Sequence, residues 1–188
     1  GGLAVPSLEP ILGLRPDLVV VYHTQVELKQ RLDRAGIPYF SYQHRALADV
    51  TMTVRAIGAR IGSVDRSETL ATQIERSISA IRESVANLSR PRTMLVFERE
   101  PSSLRNMSAS AGYGFLHDML EAAGGEDVFG DIKRESVQAT TEMILARKPD
   151  VIIELRYGSN VPKDPARELQ AWNTLSSVPA VKNRRVYL

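Results

Sequence analysis

The stretch that decides the fold is EPILGLRPDLVVV, residues 9–21, which returns further along the chain as EMILARKPDVIIE, residues 142–154. Proline lacks an amide hydrogen and disfavours helical geometry at the residue before it, so each copy predicts a short helix that ends at its Pro-Asp pair. The apolar run after each pair is typical of a buried strand in a parallel sheet. Because the copies lie too far apart for a solenoid, they predict two equivalent α/β lobes.

Apolar periodicity completes the first lobe and predicts the segment between the lobes. A helix over 25–35 and a strand over 37–42 follow the first copy, and a second helix is predicted at 47–61. Apolar residues then recur at helical spacing from Leu70 to Leu88 and predict one long helix. Its apolar seam lasts only about three heptads, which favours a strut packed on the protein over a coiled-coil arm.

The second lobe is predicted to alternate strands and helices. Its expected elements are a strand at 93–98, a loop at 99–112, a helix at 113–123, a short strand or turn at 127–132, a helix at 141–147, a strand at 151–155, a helix at 169–175 and a strand at 185–188. The fold class is therefore α/β, with two Rossmann-like lobes joined by a long backbone helix. The predicted domains are a partial N-terminal α/β lobe at 1–62, the connecting backbone helix at 63–90 and the C-terminal α/β lobe at 91–188.

Composition excludes several classes of protein. Lys and Arg number 24 against 22 Asp and Glu, a net charge of +2, and no long basic block marks a nucleic-acid-binding arm. The chain has no cysteine, which removes disulfides, thiolate metal sites and cysteine nucleophiles. No apolar run approaches the roughly 18 residues of a membrane helix. We expect a monomer that needs no cofactor.

Five stretches in order resemble a known family. They are SLEPILGLRPDLV (7–19), AGIPYF (35–40), FLHDMLEAAGGEDVF (115–129), TEMILARKPDVII (141–153) and WNTLSSVPAVKNRRVY (172–187). Together they resemble the substrate-binding proteins of ABC importers for iron-siderophores, haem and vitamin B12, whose two lobes are bridged by one rigid helix. Members of that family have a further strand, helix and strand at the start and another helix at the end. The chain is therefore expected to be truncated at both termini and to lack some ligand contacts.

The resemblance implies a function and a location. It implies an extracytoplasmic receptor that binds an iron-siderophore, haem or corrinoid in the cleft between its lobes and delivers it to the importer. Such a receptor is periplasmic or lies on the outer face of the cell membrane, and a lipid anchor on a removed N-terminal segment stays open. Neither the identity of the solute nor the completeness of the cleft follows from the sequence.

The resemblance also gives the repeated stretch a role. It implies that Glu9 and Glu142 dock the receptor to arginine pockets on the two membrane subunits of the importer. The residues agree, since Ser7 and Thr140 are suitable N-caps and place each glutamate at the second helical position, exposed to solvent. The apolar residues expected to turn inward are Ile11, Leu12, Ile144 and Leu145. The alternative is that glutamate simply favours a helix N-terminus, an effect of about 0.3–1 kcal/mol.

Polar and aromatic residues follow several predicted strands, where ligands of open α/β sheets gather. The predicted ligand-binding residues are Tyr22, His23, Tyr42, Gln43, His44, Arg99, Tyr113, Arg156 and Tyr157. Rings that stack and guanidinium groups that pair with carboxylates suit a large, flat, partly anionic ligand. Each residue also has a structural alternative, as a strand cap or a surface ion pair.

Three other functions stay open at this stage. A metal-ion-binding receptor would use His23 and His44, with Glu100 completing the site. A chelatase-like tetrapyrrole enzyme would use one of the same histidines as a base. An adhesion or assembly module would need no small ligand. We expect no enzyme, because the motifs G-x-S-x-G, G-x-G-x-x-G and the P-loop are absent; His117 is expected to be structural.

Overall fold

The computed structural model describes residues 7–156 and 164–188. Its helices are α1 (Leu8–Leu14), α2 (Val26–Arg34), α3 (Leu47–Arg60), α4 (Val64–Val85), α5 (Phe115–Ala122), α6 (Thr141–Arg147), α7 (Pro165–Gln170) and α8 (Pro179–Lys182). Its strands are β1 (Val19–Tyr22), β2 (Tyr39–Tyr42), β3 (Arg92–Glu98), β4 (Met107–Ala111), β5 (Glu126–Asp127), β6 (Arg134–Ala139), β7 (Val151–Glu154) and β8 (Val186–Tyr187). A 3-10 turn, Ala171–Leu175, follows α7.

The sequence repeat is also a structural repeat. Both α1 and α6 are seven-residue helices. Each ends at a basic residue in the left-handed region, Arg15 with φ 48° and Lys148 with φ 49°. The Pro-Asp pair follows, and then a strand, β1 or β7. The predicted helix, turn and strand of both copies are therefore confirmed.

The chain divides into two compact units, and the division falls within α4. Unit 1 consists of the residues up to His44 together with Asp49–Ala71, and unit 2 consists of Arg45–Ala48 and Thr72–Leu188. This mixed α/β organisation confirms the predicted fold class. The exact lobe boundaries given above stay a prediction.

Unit 1 contains a parallel pair of strands covered by two short helices. Strands β1 and β2 pair in parallel, with Tyr22 opposite Tyr42 at their carboxyl ends. The buried core consists of Val21, Leu28 and Leu32, and residues of α1 and β2 pack against it. Apolar contact of this kind fixes which face of each strand turns inward.

Unit 2 is built on a mixed sheet with the strand order β6-β4-β3-β7-β8, and β5 also pairs with β3. Strands β3, β7 and β8 are parallel, whereas β4 is antiparallel to both β3 and β6. The core is fully buried around Phe129, Ile152 and Trp172. Strands β3 and β6 are both antiparallel to β4, and β7 is parallel to β3, so β3, β6 and β7 run in the same direction. Their carboxyl ends therefore lie at one edge of the sheet.

Several expectations about unit 2 and about the repeat were wrong. The predicted loop at 99–112 contains β4, and β6 was not predicted. Strand β4 reads MSASA and every residue is buried. It was missed because its Ser and Ala side chains are small and lack the β-branched and aromatic residues that are enriched in strands. Leu12 and Leu145 were expected inside but are 43% and 41% exposed.

The long helix α4 is confirmed in position but is more exposed than its pattern predicts. Its buried residues are Ser67 and Ala71, whereas Leu70 and Ile81 lie about half exposed. Small residues are buried because the preceding helix approaches closely: a Cβ added at Gly58 of α3 would lie 2.0 Å from Ser67 Oγ. Within the described ranges, no helix is both long and apolar enough to cross a membrane.

We predict that Gly112→Ala destabilises unit 2 by about 2–5 kcal/mol, since it combines left-handed strain with overpacking. Gly112 has φ +81°, and a Cβ there would lie 2.2 Å from the backbone oxygen of Gly130. Urea unfolding followed by Trp172 fluorescence measures the change. Gly124→Ala is the control, because its φ of +82° gives similar strain but its Cβ would meet only the Val85 side chain, at 3.0 Å. Equal losses in the two variants would contradict the steric explanation.

Candidate functional site

Four of the predicted residues form one cluster of rings in unit 1. The ring of Tyr22 lies 4.7 Å from that of His23, 5.4 Å from Tyr42 and 6.4 Å from His44, and Tyr42 and His44 are 5.1 Å apart. The contacts are mainly edge-to-face, a favourable arrangement for aromatic rings. The structure therefore brings four of the predicted residues together, whereas a ligand contact by any of them stays a prediction.

Backbone pairing at the strand ends positions this ring cluster. The His23 amide donates to the Tyr42 carbonyl at 2.8 Å, which extends the pairing of β1 and β2 by one residue. The Lys29 ammonium donates to the His23 carbonyl at 2.8 Å and ties the following turn to α2. His23 is exposed, whereas Tyr22, Tyr42 and His44 are half-buried. Gln43 lies between Tyr42 and His44 in the chain and is half-buried; a ligand contact by Gln43 stays a prediction.

In unit 2 the predicted residue Arg99 belongs to a buried ion network. Its Nε donates to Glu154 Oε1 at 2.7 Å, and its Nη1 lies 2.9 Å from Glu168 Oε2. Nη1 also donates to the carbonyls of Glu100 at 3.1 Å and Ser103 at 2.9 Å. With a side chain that is 0% exposed, Arg99 holds the loop that follows β3. A ligand contact by Arg99 stays a prediction that this geometry does not favour.

The predicted residue Arg156 joins the same network from the end of β7. Its guanidinium pairs with Glu154 and, at 3.3 Å, with Glu168. The Trp172 indole donates to Glu154 Oε1 at 2.6 Å. The Arg156 side chain keeps a small exposed surface, 12%, so a ligand could reach it only at the margin. Tyr157, the next predicted residue, lies outside the described residues.

The carboxylate of Glu168 is the anchor of the network. It accepts from the Ser102 amide at 2.9 and 3.0 Å and from the Ser102 hydroxyl at 2.9 Å. Burial alone would raise the pKa of Glu168, but the Ser102 hydrogen bonds and the charges of Arg99 and Arg156 outweigh it and hold that pKa below its ordinary value. Glu168 is therefore a stable anion at neutral pH.

Tyr113 lies on an exposed loop between two glycines of unit 2. Gly112 and Gly114 have φ +81° and +95°, conformations that glycine adopts without strain. Asp127 holds the loop, because its Oδ2 accepts from the Gly112 amide at 3.3 Å and lies 3.0 Å from His117 Nδ1. His117 thus has the structural position expected of it, and the ligand contact predicted for Tyr113 stays a prediction.

The two glutamates of the repeat have matching positions. Ser7 and Thr140 are the N-caps, so Glu9 and Glu142 are each the second residue of a helix, and both are exposed. The pKa of Glu142 lies below its ordinary value, because its own backbone amide and then the Thr140 and Thr141 hydroxyls donate to the carboxylate. The predicted position and exposure of both glutamates are confirmed, but the Ser7 side chain makes no capping hydrogen bond, whereas the Thr140 side chain accepts from the Met143 amide. The docking role stays a prediction.

An open recess of about 800 Å³ lies entirely in unit 2, at the edge of the sheet where β3 and β6 end. Its lining residues are Ser102, Ser103, Leu104, Arg105, Asn106, Met107, Gln138, Ala139, Thr140, Thr141, Ala171 and Thr174. The sequence-based prediction missed all of them. Serine, threonine and amide side chains in loops give no pattern that distinguishes a binding wall from a solvated turn. Across residues 7–156 and 164–188, no group of three or more His, Cys, Asp or Glu side chains could hold a metal ion.

Comparison with known proteins identifies relatives that match most of the chain. Residues 4–188 match the protein family described as periplasmic binding protein, which confirms the family resemblance of the motifs. The vitamin B12-binding protein of Salmonella typhimurium strain LT2 is 25% identical over 177 residues, a match covering 93% of this chain and 63% of that protein. The vitamin B12-binding protein of Yersinia pestis strain Pestoides F is 25% identical over 150 residues, covering 78% and 51%. This chain thus spans only part of the length of both relatives.

Solved structures share the fold. An ABC transporter substrate-binding protein from Listeria monocytogenes EGD-e has a TM-score of 0.78 and 23% identity, over 97% of this chain and 70% of that one. The periplasmic heme-binding protein of Vibrio cholerae has a TM-score of 0.80 and 13% identity, over 96% and 70%. At such identities the likeness establishes the fold alone. The names of these relatives and structures describe binding proteins rather than enzymes.

We predict that Glu168→Gln lowers the free energy of unfolding at neutral pH by about 1–3 kcal/mol, the cost of losing charged hydrogen bonds. Because the folded pKa of Glu168 is lowered, its contribution is present above the unfolded pKa of about 4.3 and disappears as the pH falls through the folded pKa. The difference from wild type should therefore shrink in acid. Urea titrations at several pH values measure it, with the exposed Glu135→Gln as control; a difference that grows in acid would contradict the assignment.

Proposed function

We propose that this chain, which belongs to the periplasmic binding protein family, forms part of a receptor that captures a metal tetrapyrrole, haem or a corrinoid, and delivers it to an ABC importer. The single observation that carries this proposal is the ring cluster of Tyr22, His23, Tyr42 and His44 in unit 1. Membership of this family supports a periplasmic or extracellular location for such a receptor.

The chemistry of the ring cluster suits a planar metal chelate. Aromatic side chains provide large, rigid contact surfaces at a small entropic cost. Imidazole and phenolate are also among the groups that hold haem iron in proteins. His23 is exposed and His44 half-buried at the ends of neighbouring strands, so the cluster offers both stacking surface and a ligand for an open axial position of the metal.

Other solutes fit this cluster less well. In a ferric hydroxamate or catecholate siderophore, the chelating oxygens already surround the iron, so protein imidazoles would have no coordination site to fill. A receptor for bare metal ions would need further ligands, and the described residues contain no group of three that could supply them. An iron-siderophore is the second candidate, because the family resemblance of the sequence motifs includes receptors for iron-siderophores.

Docking through the repeat is the second half of the proposal. Glu9 and Glu142 have the same helical position and the same exposure in their respective units. The hydrogen bonds at Glu142 favour its charged form, as pairing with a cation requires. We infer that each carboxylate binds an arginine of one membrane subunit of the importer.

The ligand class is tested by titrating the purified chain with haemin, cobalamin, ferric hydroxamate and ferric catecholate siderophores, and Zn²⁺. A ligand present at about 100 times its dissociation constant should add about 2.7 kcal/mol to the free energy of unfolding. We expect a tetrapyrrole to raise the melting temperature and to change its visible absorption on binding. Tyr42→Phe and His44→Asn should each weaken that binding, roughly tenfold where the group is a central contact.

Tyr39→Phe is the matched control, because Tyr39 lies on the same strand but packs against the core of unit 1. It should leave binding unchanged. A siderophore that binds while both tetrapyrroles do not would replace the tetrapyrrole by the second candidate. A shift in melting temperature produced by Zn²⁺ alone would contradict both the tetrapyrrole and the siderophore candidates.

Docking is tested by charge reversal at Glu9 and Glu142. Each of Glu9→Lys and Glu142→Lys should reduce uptake of the ligand by cells that carry the importer, and the double variant should abolish it, because a lysine repels the partner's arginine. Ligand affinity should not change. Glu27→Lys is the control, since Glu27 is likewise an exposed acidic residue in the first turn of a helix. Normal uptake by the double variant would show that the glutamates serve only their helices.

A further inference from the structure

The amino-end edge of the unit 2 sheet collects basic residues that are far apart in sequence. Strands β5, β3, β7 and β8 begin side by side there. Arg92 lies opposite Glu126, the Asp150 amide donates to the Arg92 carbonyl at 2.7 Å, and the Ile152 amide donates to the Arg185 carbonyl at 3.0 Å. We call this edge, together with the helix ends and turns that lead into it, the basic face. Its charged residues are the cations Arg82, Arg90, Arg92, Lys148, Lys182, Arg184 and Arg185 and the anions Glu121, Glu126 and Asp150.

Positive charge is concentrated on the basic face beyond what the composition of the chain requires. Seven cations stand against three carboxylates, a surplus of four, whereas the whole chain has 24 Lys and Arg against 22 Asp and Glu. The rest of the chain is therefore net negative. The C-termini of α4, α5, α6 and α8 lead into the same edge, and each contributes at most about half a negative charge. They therefore offset only about half of the surplus.

Two of the arginines line a small cavity at one end of the basic face. Arg90 is held in place, because it pairs with Glu121 and donates to the Gly125 carbonyl at 2.8 Å. Arg82, by contrast, takes part in none of the ion pairs among residues 7–156 and 164–188. The cavity measures about 270 Å³, and its lining residues are Arg82, Val85, Ala86, Arg90, Glu121, Ala122 and Gly124.

This cavity is close-packed at its base and has the size for a single side chain. A Cβ added at Gly124 would lie 3.0 Å from the Val85 side chain, so the ends of α4 and α5 are in close contact. The volume is below the roughly 300–1,000 Å³ of small-molecule sites. In protein interfaces, pockets receive the buried anchor side chains of the partner. Ile81 and Leu88, which are 49% and 63% exposed, provide further apolar surface at this end of α4.

We propose that the basic face docks an extended acidic segment of a partner protein, with one apolar side chain of the segment in the cavity and its carboxylates on the surrounding cations. Three strand spacings of about 4.8 Å separate β5 from β8, so about four or five extended residues span the face. Arginine pairs with carboxylates through two parallel hydrogen bonds and is enriched in protein interfaces. An anionic membrane would be attracted by the same charge but would present no side chain to the cavity.

The test is fluorescence anisotropy with two labelled peptides, Glu-Asp-Glu-Leu-Glu-Asp-Glu and the same peptide with glycine in place of leucine. At low ionic strength the leucine peptide should bind the full chain with a Kd below about 1 mM, and the glycine peptide should bind several-fold more weakly. Salt at about 0.15 M should weaken both, because it screens surface charges beyond about 8 Å. Arg82→Glu should weaken binding of the leucine peptide roughly tenfold, since it replaces an attraction by a repulsion.

A second variant separates the cavity from the charges. Ala86 is exposed and lines the cavity, so Ala86→Phe should fill it and remove the preference for leucine over glycine while leaving the salt dependence unchanged. Arg76→Glu is the matched control for Arg82→Glu, because Arg76 is an exposed arginine of α4 that does not line the cavity. It should change the affinity by less than about twofold.

Absence of binding by the leucine peptide at millimolar concentration would overturn the proposal, as would equal affinity for the two peptides or equal losses in the two arginine variants. Binding to phosphatidylglycerol vesicles but not to phosphatidylcholine vesicles, without binding of either peptide, would replace the protein partner by a membrane surface. The titration needs no tetrapyrrole, and its variants leave the ring cluster and the two repeat glutamates unchanged. Its failure would therefore not bear on the proposed function.

Discussion

The buried ion network of unit 2 is the interaction on which the rest of that unit depends. Two arginines and two glutamates, Arg99, Arg156, Glu154 and Glu168, neutralise one another in an environment from which water is almost excluded. Removing one partner would leave an uncompensated buried charge, which is more costly than never having built the pair. The network therefore acts as a single unit that binds the ends of β3 and β7 to α7.

The buried ion network also fixes the conformation of the loop that follows β3. Ser102 and Asn106 hold left-handed conformations, with φ 54° and 49°, that cost energy in residues other than glycine. The loop keeps them because Glu168 and Arg99 bind its backbone from inside. The buried ion network thus determines the position of the exposed residue Arg105 in this loop. A change that loosens the network would therefore also move the wall of the recess.

The sequence predicted secondary structure correctly where a single local constraint, such as a proline, determines the backbone conformation. A Pro-Asp pair after a short helix leaves the chain few choices, so α1 with β1 and α6 with β7 were predicted almost to the residue. Tyr22, Tyr42 and His44 were selected because ligands gather at the carboxyl ends of parallel strands, and the contacts between their rings came only from the structure. Strand β4 was missed because its Ser and Ala residues owe their burial to neighbours distant in sequence. Arg99 was placed at the right strand end, but Glu154 and Glu168, which turn its side chain inward, could not be paired with it from spacing.

The core of unit 1 is small, and this affects how its rings should be understood. Because the core cluster of unit 1 has only three fully buried residues among those described, Val21, Leu28 and Leu32, the contacts of Tyr22, Tyr42 and His44 contribute to stability as well as to any binding. Each such pair is worth about 0.5–1.5 kcal/mol beyond the area it buries. Truncation to alanine would remove packing and recognition together and so could not separate them. Replacing tyrosine by phenylalanine keeps the packed ring and removes one hydroxyl. The difference between those two substitutions separates what the ring cluster does for the fold from what its polar atoms do for a ligand.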